Sequence, residues 1–354
     1  MPVGISLLTL VPGFVGGSET YARELARALH RVGELEYRVF VPTVAPDAGD
    51  GLPSTPIAEY RASMTIPGRI LAMSHAAARP RRLLRALRLN SLDAIHFPLS
   101  VMLPPVDRPA AATTVHDLQH ELHPRFFSRA ELAYRRAVYG WTVRRSRIVI
   151  AVSEHARDTL IERLAVPADR VRAIPHGIDH ERFSPGDRRR EPFLLYPANR
   201  WRHKNHERLF AAFALMRRER PELRLVLTGH GHEGKPVPEG VDVRGFVSRD
   251  ELVDLYRRAG ALVFPSLYEG FGQPPLEAMA CGCPVAVSNT TSLPEVCGDA
   301  AEYFDPESPE EIAAAALRAL TGDRVDRGLV RARLFTWDEC ARRHEAVYRE
   351  LAAR

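Results

Sequence analysis

The chain has 354 residues, is 45% hydrophobic and 26% charged, and carries a net charge of +5. That is a soluble globular composition with room for two domains of ordinary size, and no apolar run approaches the roughly 18 residues that span a bilayer. The four cysteines (281, 283, 297 and 340) form neither a disulfide ladder nor the paired pattern of a structural zinc site, and no signal peptide is read at the N-terminus, so reduced thiols and a cytoplasmic setting are expected.

Residues 3–11 (VGISLLTLV) read as an opening strand. Gly13, Gly16 and Gly17 follow, with Ser18 as N-cap of a helix to about His30. A strand, glycine turn and helix start together suit a phosphate. The pattern G-x-G-x-x-G is absent, however, and no acid ends the next strand at 37–41, which argues against a nicotinamide dinucleotide.

Charge is uneven: residues 1–190 sum to +8 and 191–354 to −3. Residues 61–90 hold seven arginines and no acid. Within them RRLLRALR (81–88) sets Arg81, Arg85 and Arg88 on one helical face and Leu83, Leu84 and Leu87 on another. Such a helix either lies on an anionic membrane surface or packs its leucines inward and leaves a solvated face. No aromatics interleave these arginines, so no nucleic-acid partner is expected.

Residues 92–97 and 110–115 read as parallel strands, the second ending in His116-Asp117, where open α/β sheets place their chemistry. His120 and His123 follow without a third ligand in pattern, so no metal site is assigned. Ser128 and Glu131 form a capping box for a helix to about Arg145. A strand at 147–152, a helix from Ser153 and a strand at 171–174 lead to Pro175-His176-Gly177-Ile178-Asp179. The charged stretch 181–192, with Pro and Gly but no periodicity, reads as a linker.

Strand and helix alternation then restarts: strand 193–196, helix 205–219, strand 223–228, the Gly229-His230-Gly231 turn and strand 241–245. Further boxes at Ser248–Glu251, Ser308–Glu311 and Thr336–Glu339 cap later helices. Two doubly wound α/β domains are predicted. After the first strand of the second half comes Asn199-Arg200-Trp201-Arg202-His203-Lys204. Of 49 basic residues only Lys204 and Lys235 are lysines. A compact ammonium suits a tight phosphate site, and the alternative is a surface basic cluster.

The most informative stretch is ALVFPSLYEGFGQPPLEAMACGCPVAVSNTTSLPEVC, residues 261–297. A buried strand ends at Pro265-Ser266, and a turn with Gly270 and Gly272 leads to Pro274 and Pro275 at the first helical positions. The helix start offers N–H groups to an anion. Glu269 on the turn and Glu277 in the first helical turn frame it, with carboxylates that accept from hydroxyls. A sugar joined to a nucleotide diphosphate fits this layout.

The string EGFGQPPLEAMACGCPV resembles the E-x7-E segment of family 4 retaining glycosyltransferases, strongly over about 193–300 and in weaker order over 1–180. The resemblance implies the α/β GT-B fold: two Rossmann-like doubly wound domains, 1–184 and 185–335, facing across a cleft, with a helix at 336–354 returning to the first. It implies that Glu277 binds the donor ribose, Arg200 and Lys204 the diphosphate, and the backbone at Phe246 and Val247 the base. Glu269 with Gly270, Phe271 and Gly272 would hold the sugar hydroxyls, and Leu276 lies in the same donor segment. Gly16 and Gly17 would admit the donor phosphate, and His116 would stand beside the transferred sugar, making His116 and Glu269 the catalytic candidates.

By the same resemblance no metal or cofactor is needed. The co-substrate is a nucleotide-diphosphate sugar, GDP-mannose first because the string looks most like bacterial mannosyltransferases of polysaccharide or lipopolysaccharide assembly, with UDP- or dTDP-sugars next. The acceptor would be a glycan, a lipid-linked glycan or a small molecule, with peripheral contact to an anionic membrane. The rival readings are a nucleotide-sugar epimerase of the same fold and a catalytically silent partner subunit.

Overall fold

The computed structural model describes residues 1–13, 16–63, 65–78, 80–187 and 189–353. The chain divides into two compact units: Met1–Gly177 with Trp337–Arg354, and Ile178–Thr336.

In the first unit the strands are β1 (Pro2–Ser6), β2 (Glu36–Pro42), β3 (Ser54–Ile57), β4 (Ala94–Phe97), β5 (Ala110–Val115), β6 (Ile148–Ala151) and β7 (Val171–Ala173). They form one sheet in the order β3-β2-β1-β4-β5-β6-β7, and every pairing is parallel. Parallel sheets need helical crossovers on their faces, which is why β4 and β6 are buried at every residue; β6 is an unbroken apolar run, and β4 is apolar but for His96. Strand order reverses between β1 and β4, and ligands of open α/β sheets bind beyond the carboxyl ends at such a reversal.

Helices Gly17–Val32 and Trp337–Ala352 pack together in a core with Val3, Ile5, Val39, Tyr21, Leu25 and Tyr348. A second core gathers Leu8, Phe40, Ile95, Phe97, Leu83 and Leu87. The two leucines come from helix Pro80–Ala86 and the turn after it. They are therefore not available to a membrane; Arg81, Arg82, Arg85 and Arg88 are exposed. Arg79 lies outside the described residues.

Two local expectations are corrected. The opening strand stops at Ser6, because Leu10 N donates to Leu7 O at 2.9 Å and turns the chain; Leu7, Leu8 and Leu10 are apolar because they are core, not because they are strand. The first helix begins at Gly17, with Gly16 rather than Ser18 at the N-cap. Gly16 has φ 54°, a conformation that glycine adopts without strain, and no side chain caps the helix. Glu19 instead accepts from Gly13 N at 2.8 Å.

In the second unit, β8 (Glu191–Pro197), β9 (Arg224–Thr228), β10 (Val241–Val243), β11 (Ala259–Phe264), β12 (Val285–Ser288) and β13 (Ala301–Phe304) run in the order β10-β9-β8-β11-β12-β13. Its pairings are also all parallel, and its reversal falls between β8 and β11. Helices His206–Glu219 and Pro309–Thr321 pack together, as do Gln273–Ala280 and Val325–Ala332. Each unit is a Rossmann-like α/β domain, as the alternation predicts.

The chain enters the second unit at Ile178, earlier than residue 185. Ile178 bridges Thr336, its N donating to Phe335 O at 3.1 Å. Phe183 is buried, and Arg257 Nε donates to Ser184 O at 2.8 Å. Part of the predicted linker is thus packed structure; Arg188 lies outside the described residues. All four cysteines are buried and unbridged. Burial pushes the thiols of Cys281 and Cys297 up to about 12 and that of Cys283 to about 11, so they are inert core groups. No described helix is long and apolar enough to cross a membrane.

Candidate active site

The loops that follow β8 and β11 meet at the reversal point of the second sheet. After β8 the chain makes a 3-10 turn, Arg202–Lys204, and then Asn205 adopts φ 60°. Asn205 Nδ2 donates to Pro265 O at 3.0 Å and to Pro306 O at 2.7 Å, fastening the first loop to the second. Leu267 N donates to His203 O at 2.8 Å and Tyr196 Oη to Lys204 O at 2.6 Å. With its backbone fixed, Lys204 places Nζ 2.6 Å from Glu269 Oε1, and each side chain is only 13% exposed. Glu269 is held in turn: its N donates to Thr291 Oγ1 at 3.1 Å, and Ser292 Oγ donates to Glu269 O at 3.0 Å and Phe271 O at 2.7 Å.

Arg200 sits in the same loop, its N donating to His230 O at 2.9 Å and its guanidinium 5.5 Å from the Phe210 ring centre. Its Nη1 is buried with no hydrogen-bond partner among the described residues. A buried guanidinium donor without an acceptor is costly, so an anion brought to this atom gains a strong charge-assisted bond. The buried His206 ring lies 5.0 Å from that of His232. Burial, followed by the neighbouring His232, Arg200 and Lys204, pushes His206 down to about 3. Burial also lowers His232. Both imidazoles are therefore neutral, and the positive charge belongs to Arg200 and Lys204. Phe246 is 75% exposed and stacks on His230 with ring centres 5.3 Å apart; the neighbouring Val247 is half-buried.

Helix Gln273–Ala280 differs from expectation in two ways. It starts one residue before the prolines, so Pro274 and Pro275 occupy its second and third positions and remove two of the four unpaired N–H groups of a helix start. The N–H groups that remain at this helix start are those of Gly272 and Gln273. Glu277 is the fifth helical residue, beyond the first turn. What orients it is Tyr256, whose buried hydroxyl donates to Glu277 Oε2 at 3.0 Å. Burial and the Glu277 charge raise that phenol well above its ordinary value, so it remains a donor. Leu276 is fully buried, so its side chain is part of the core. Phe271 is likewise buried, its ring 5.9 Å from that of Phe335.

In the first unit, His116 stands at the end of β5. Its Nε2 lies 2.7 Å from Pro98 O, which can only accept, so Nε2 carries the proton. Burial lowers the imidazole against the raising effects of Pro98 O and Asp117. The neutral ring therefore presents Nδ1 as a lone-pair acceptor. The Tyr21 ring, one turn into the helix that begins at Gly16-Gly17, meets His116 edge-on with centres 4.7 Å apart. Tyr21 thus links His116 to the helix that follows Gly16, while in the second unit Lys204 meets Glu269, and Arg200 meets His230, on which Phe246 stacks. His120 is buried against Tyr139 at 4.8 Å, and His123 stacks on Phe126 at 5.2 Å. Among the described residues no three His, Cys, Asp or Glu side chains converge as a metal site.

The local strings did not reveal Tyr256, Tyr21, His230, Thr291 or Ser292. The only available signal was position: the last two lie just after β12, the strand next to β11.

Comparison with known proteins gives a consistent picture. Residues 15–182 match the family described as "Glycosyltransferase Family 4", and residues 177–332 match "Glycosyl transferases group 1". The chain is 30% identical over 309 residues to O-antigen chain mannosyltransferase B of Escherichia coli, covering 80% of this chain and 81% of that protein. It is 31% identical over 233 residues to the serotype-specific mannosyltransferase WbdA of Escherichia coli, 56% of this chain but 28% of that longer protein. The sucrose-phosphate synthase of Thermosynechococcus elongatus superposes with a TM-score of 0.79 at 20% identity, covering 100% of this chain and 99% of that one.

Proposed function

This chain belongs to glycosyltransferase family 4 and is a GT-B hexosyltransferase, and from that premise we propose that it moves mannose from GDP-mannose to a glycan acceptor with retention of configuration. The observation that carries the reading is the enclosed contact of Lys204 with Glu269 at 2.6 Å, with Arg200 on the same loop as Lys204 and its Nη1 without a partner among the described residues. A diphosphate needs cations, a hexose needs hydroxyl acceptors, and a glycosyl nucleotide needs both within a few ångströms.

Arg200 and Lys204 are assigned to the diphosphate, Glu277 to the ribose, and Glu269 with the Gly270–Gly272 backbone to the sugar. The base is assigned to the backbone at Phe246 and Val247, where the exposed Phe246 ring adds a flat apolar surface. Gly16 and Gly17 are assigned to close backbone approach to the donor, and His116 to the sugar through Nδ1. In the reaction the bond from C1 to the diphosphate oxygen breaks and C1 gains the acceptor oxygen on the same face. The acceptor's proton passes to the leaving phosphate. Lys204 and Arg200 stabilise the charge that develops on that phosphate, and a fixed cationic site does so without reorganisation at the moment of reaction.

The mannosyltransferase names of the relatives support mannose, and the O-antigen name of one of them supports a glycan acceptor; we assign that acceptor to a lipid-linked glycan at the inner membrane face. Arg81, Arg82, Arg85 and Arg88 are the exposed cations suited to that surface. Thermal shift against GDP, UDP, dTDP and ADP tests the base: stabilisation by GDP alone supports the reading, and preference for another nucleotide rejects GDP-mannose. An α-mannoside by NMR from the α-linked donor supports retention; a β-mannoside rejects it.

A further inference from the structure

Behind His116, five side chains of the first unit form a hydrogen-bond chain in which every donor is determined. Burial holds the His344 ring neutral, and its Nδ1 lies 2.8 Å from Cys340 O, a pure acceptor, so Nδ1 carries the proton and Nε2 the lone pair. Tyr21 Oη, 2.8 Å from that Nε2, must donate to it. Its oxygen then accepts from Thr114 Oγ1 at 2.9 Å. Thr114 has one proton, so it accepts from His96 Nε2 at 2.8 Å. His96 Nδ1 is left to accept from Tyr348 Oη at 2.8 Å. Tyr21, His96, Thr114, His344 and Tyr348 are all fully buried, so none can exchange its partner for water.

With both histidines neutral, one proton arrangement satisfies all of these contacts. Burial lowers both: His96 well below its ordinary value, with His344 and His116 adding to it, and His344 to about 4, where Cys340 O raises it and Arg343 lowers it.

Tyr21 is where this chain reaches the candidate site. Its ring lies edge-on to His116 at 4.7 Å and 81°, and tilted on His176 at 4.8 Å. Two of its chain partners come from elsewhere: Thr114 from β5, two residues before His116, and His344 from helix Trp337–Ala352. The histidine ring is thus braced by a tyrosine that cannot rotate without breaking two buried hydrogen bonds.

We propose that Tyr21 is a positioning residue for His116, set in place by His344, so that the C-terminal helix takes part in aiming the Nδ1 lone pair at the substrate. This rests on the assignment of His116 to the transferred sugar. Tyr21→Phe keeps the ring and removes both hydrogen bonds. It should lower kcat about tenfold, as small misplacements of reacting groups do, while donor KM stays within about twofold. His344→Leu should match it, and the double variant should be no slower than either single, because both break one chain. His344→Gln, which can still accept from Tyr21, should recover most of kcat.

Tyr37→Phe is the control: it removes a hydrogen bond to Glu345 on the same helix, away from His116. It should lower Tm but leave kcat unchanged. With rates measured well below each Tm, wild-type kcat in Tyr21→Phe, or an equal loss in Tyr37→Phe, overturns the proposal. His116→Ala separates the two assignments. If it keeps wild-type turnover, the role of His116 falls and this proposal with it. If it is inactive while Tyr21→Phe is unimpaired, the proposal alone fails.

Discussion

Lys204 and Glu269 are 65 residues apart in the chain, yet Nζ and Oε1 meet at 2.6 Å because β8 and β11 are neighbours in the sheet. Each side chain is 13% exposed, so water and salt screen the pair less than they would at the surface. A diphosphate drawn to Lys204 therefore competes with Glu269.

That competition separates binding from turnover. Lys204→Ala should weaken GDP by about 10- to 100-fold in calorimetry, the scale of a charge-assisted contact of about 1.5–3 kcal/mol. Glu269→Gln removes the competing charge, so GDP should bind at least as tightly as to the wild type. Turnover of the sugar donor should still fall by about 100-fold or more. Weaker GDP binding by Glu269→Gln contradicts the shared-cation picture.

Glu277 depends on Tyr256. Glu277→Ala should cut kcat/KM for the donor by orders of magnitude if it holds the ribose. Tyr256→Phe leaves the carboxylate but frees Oε2 from its 3.0 Å bond. A loss of about 1 kcal/mol in donor binding, roughly fivefold in KM, is expected. Equal effects of the two variants would mean that Tyr256, not Glu277, meets the ligand.

Stability should fall in mild acid because of His344. Burial lowers its folded pKa to about 4, below an unfolded value of about 6.5. The unfolded chain then binds the proton first. The contribution is complete above about pH 6.5 and shrinks as pH falls toward 4. At pH 5 this group alone should cost about 2 kcal/mol relative to pH 7.5. His96 shifts in the same direction. Urea unfolding should show a shallower pH slope in His344→Gln than in the wild type; identical slopes reject the assignment.

Gly272 sets the entry to the helix that carries Glu277. It has φ +105°, and an added Cβ would lie 2.7 Å from Leu293 Cδ2. Gly272→Ala should cost about 1–3 kcal/mol and lower Tm by several degrees. If calorimetry shows no loss, the turn is adaptable and the constraint is not structural.

Much of the site was legible in short strings. The motif 269–277 carries its own turn glycines, prolines and acids. The Ser248–Glu251 box forms as read, with both reciprocal bonds present. These are contacts between near neighbours, which adjacent residues encode directly. The helix starts were less legible. Ser18 looks like a cap, but Gly16 can enter a backbone region that serine avoids, and Glu19 is drawn to Gly13 instead. The leucines of 81–88 showed an amphipathic helix without showing what covers it; the core does.

Taken alone, the sequence determined the strand–helix alternation, the family and the chemical types gathered near 200 and 270, since these depend on residue identity and short spacing. The tertiary structure alone decided that Lys204 meets Glu269, that Tyr256 holds Glu277, and that Tyr21 donates a hydrogen bond to His344, 323 residues away. Those contacts follow from strand order and helix docking, which are set by the burial of whole elements against one another and leave no local periodicity to read.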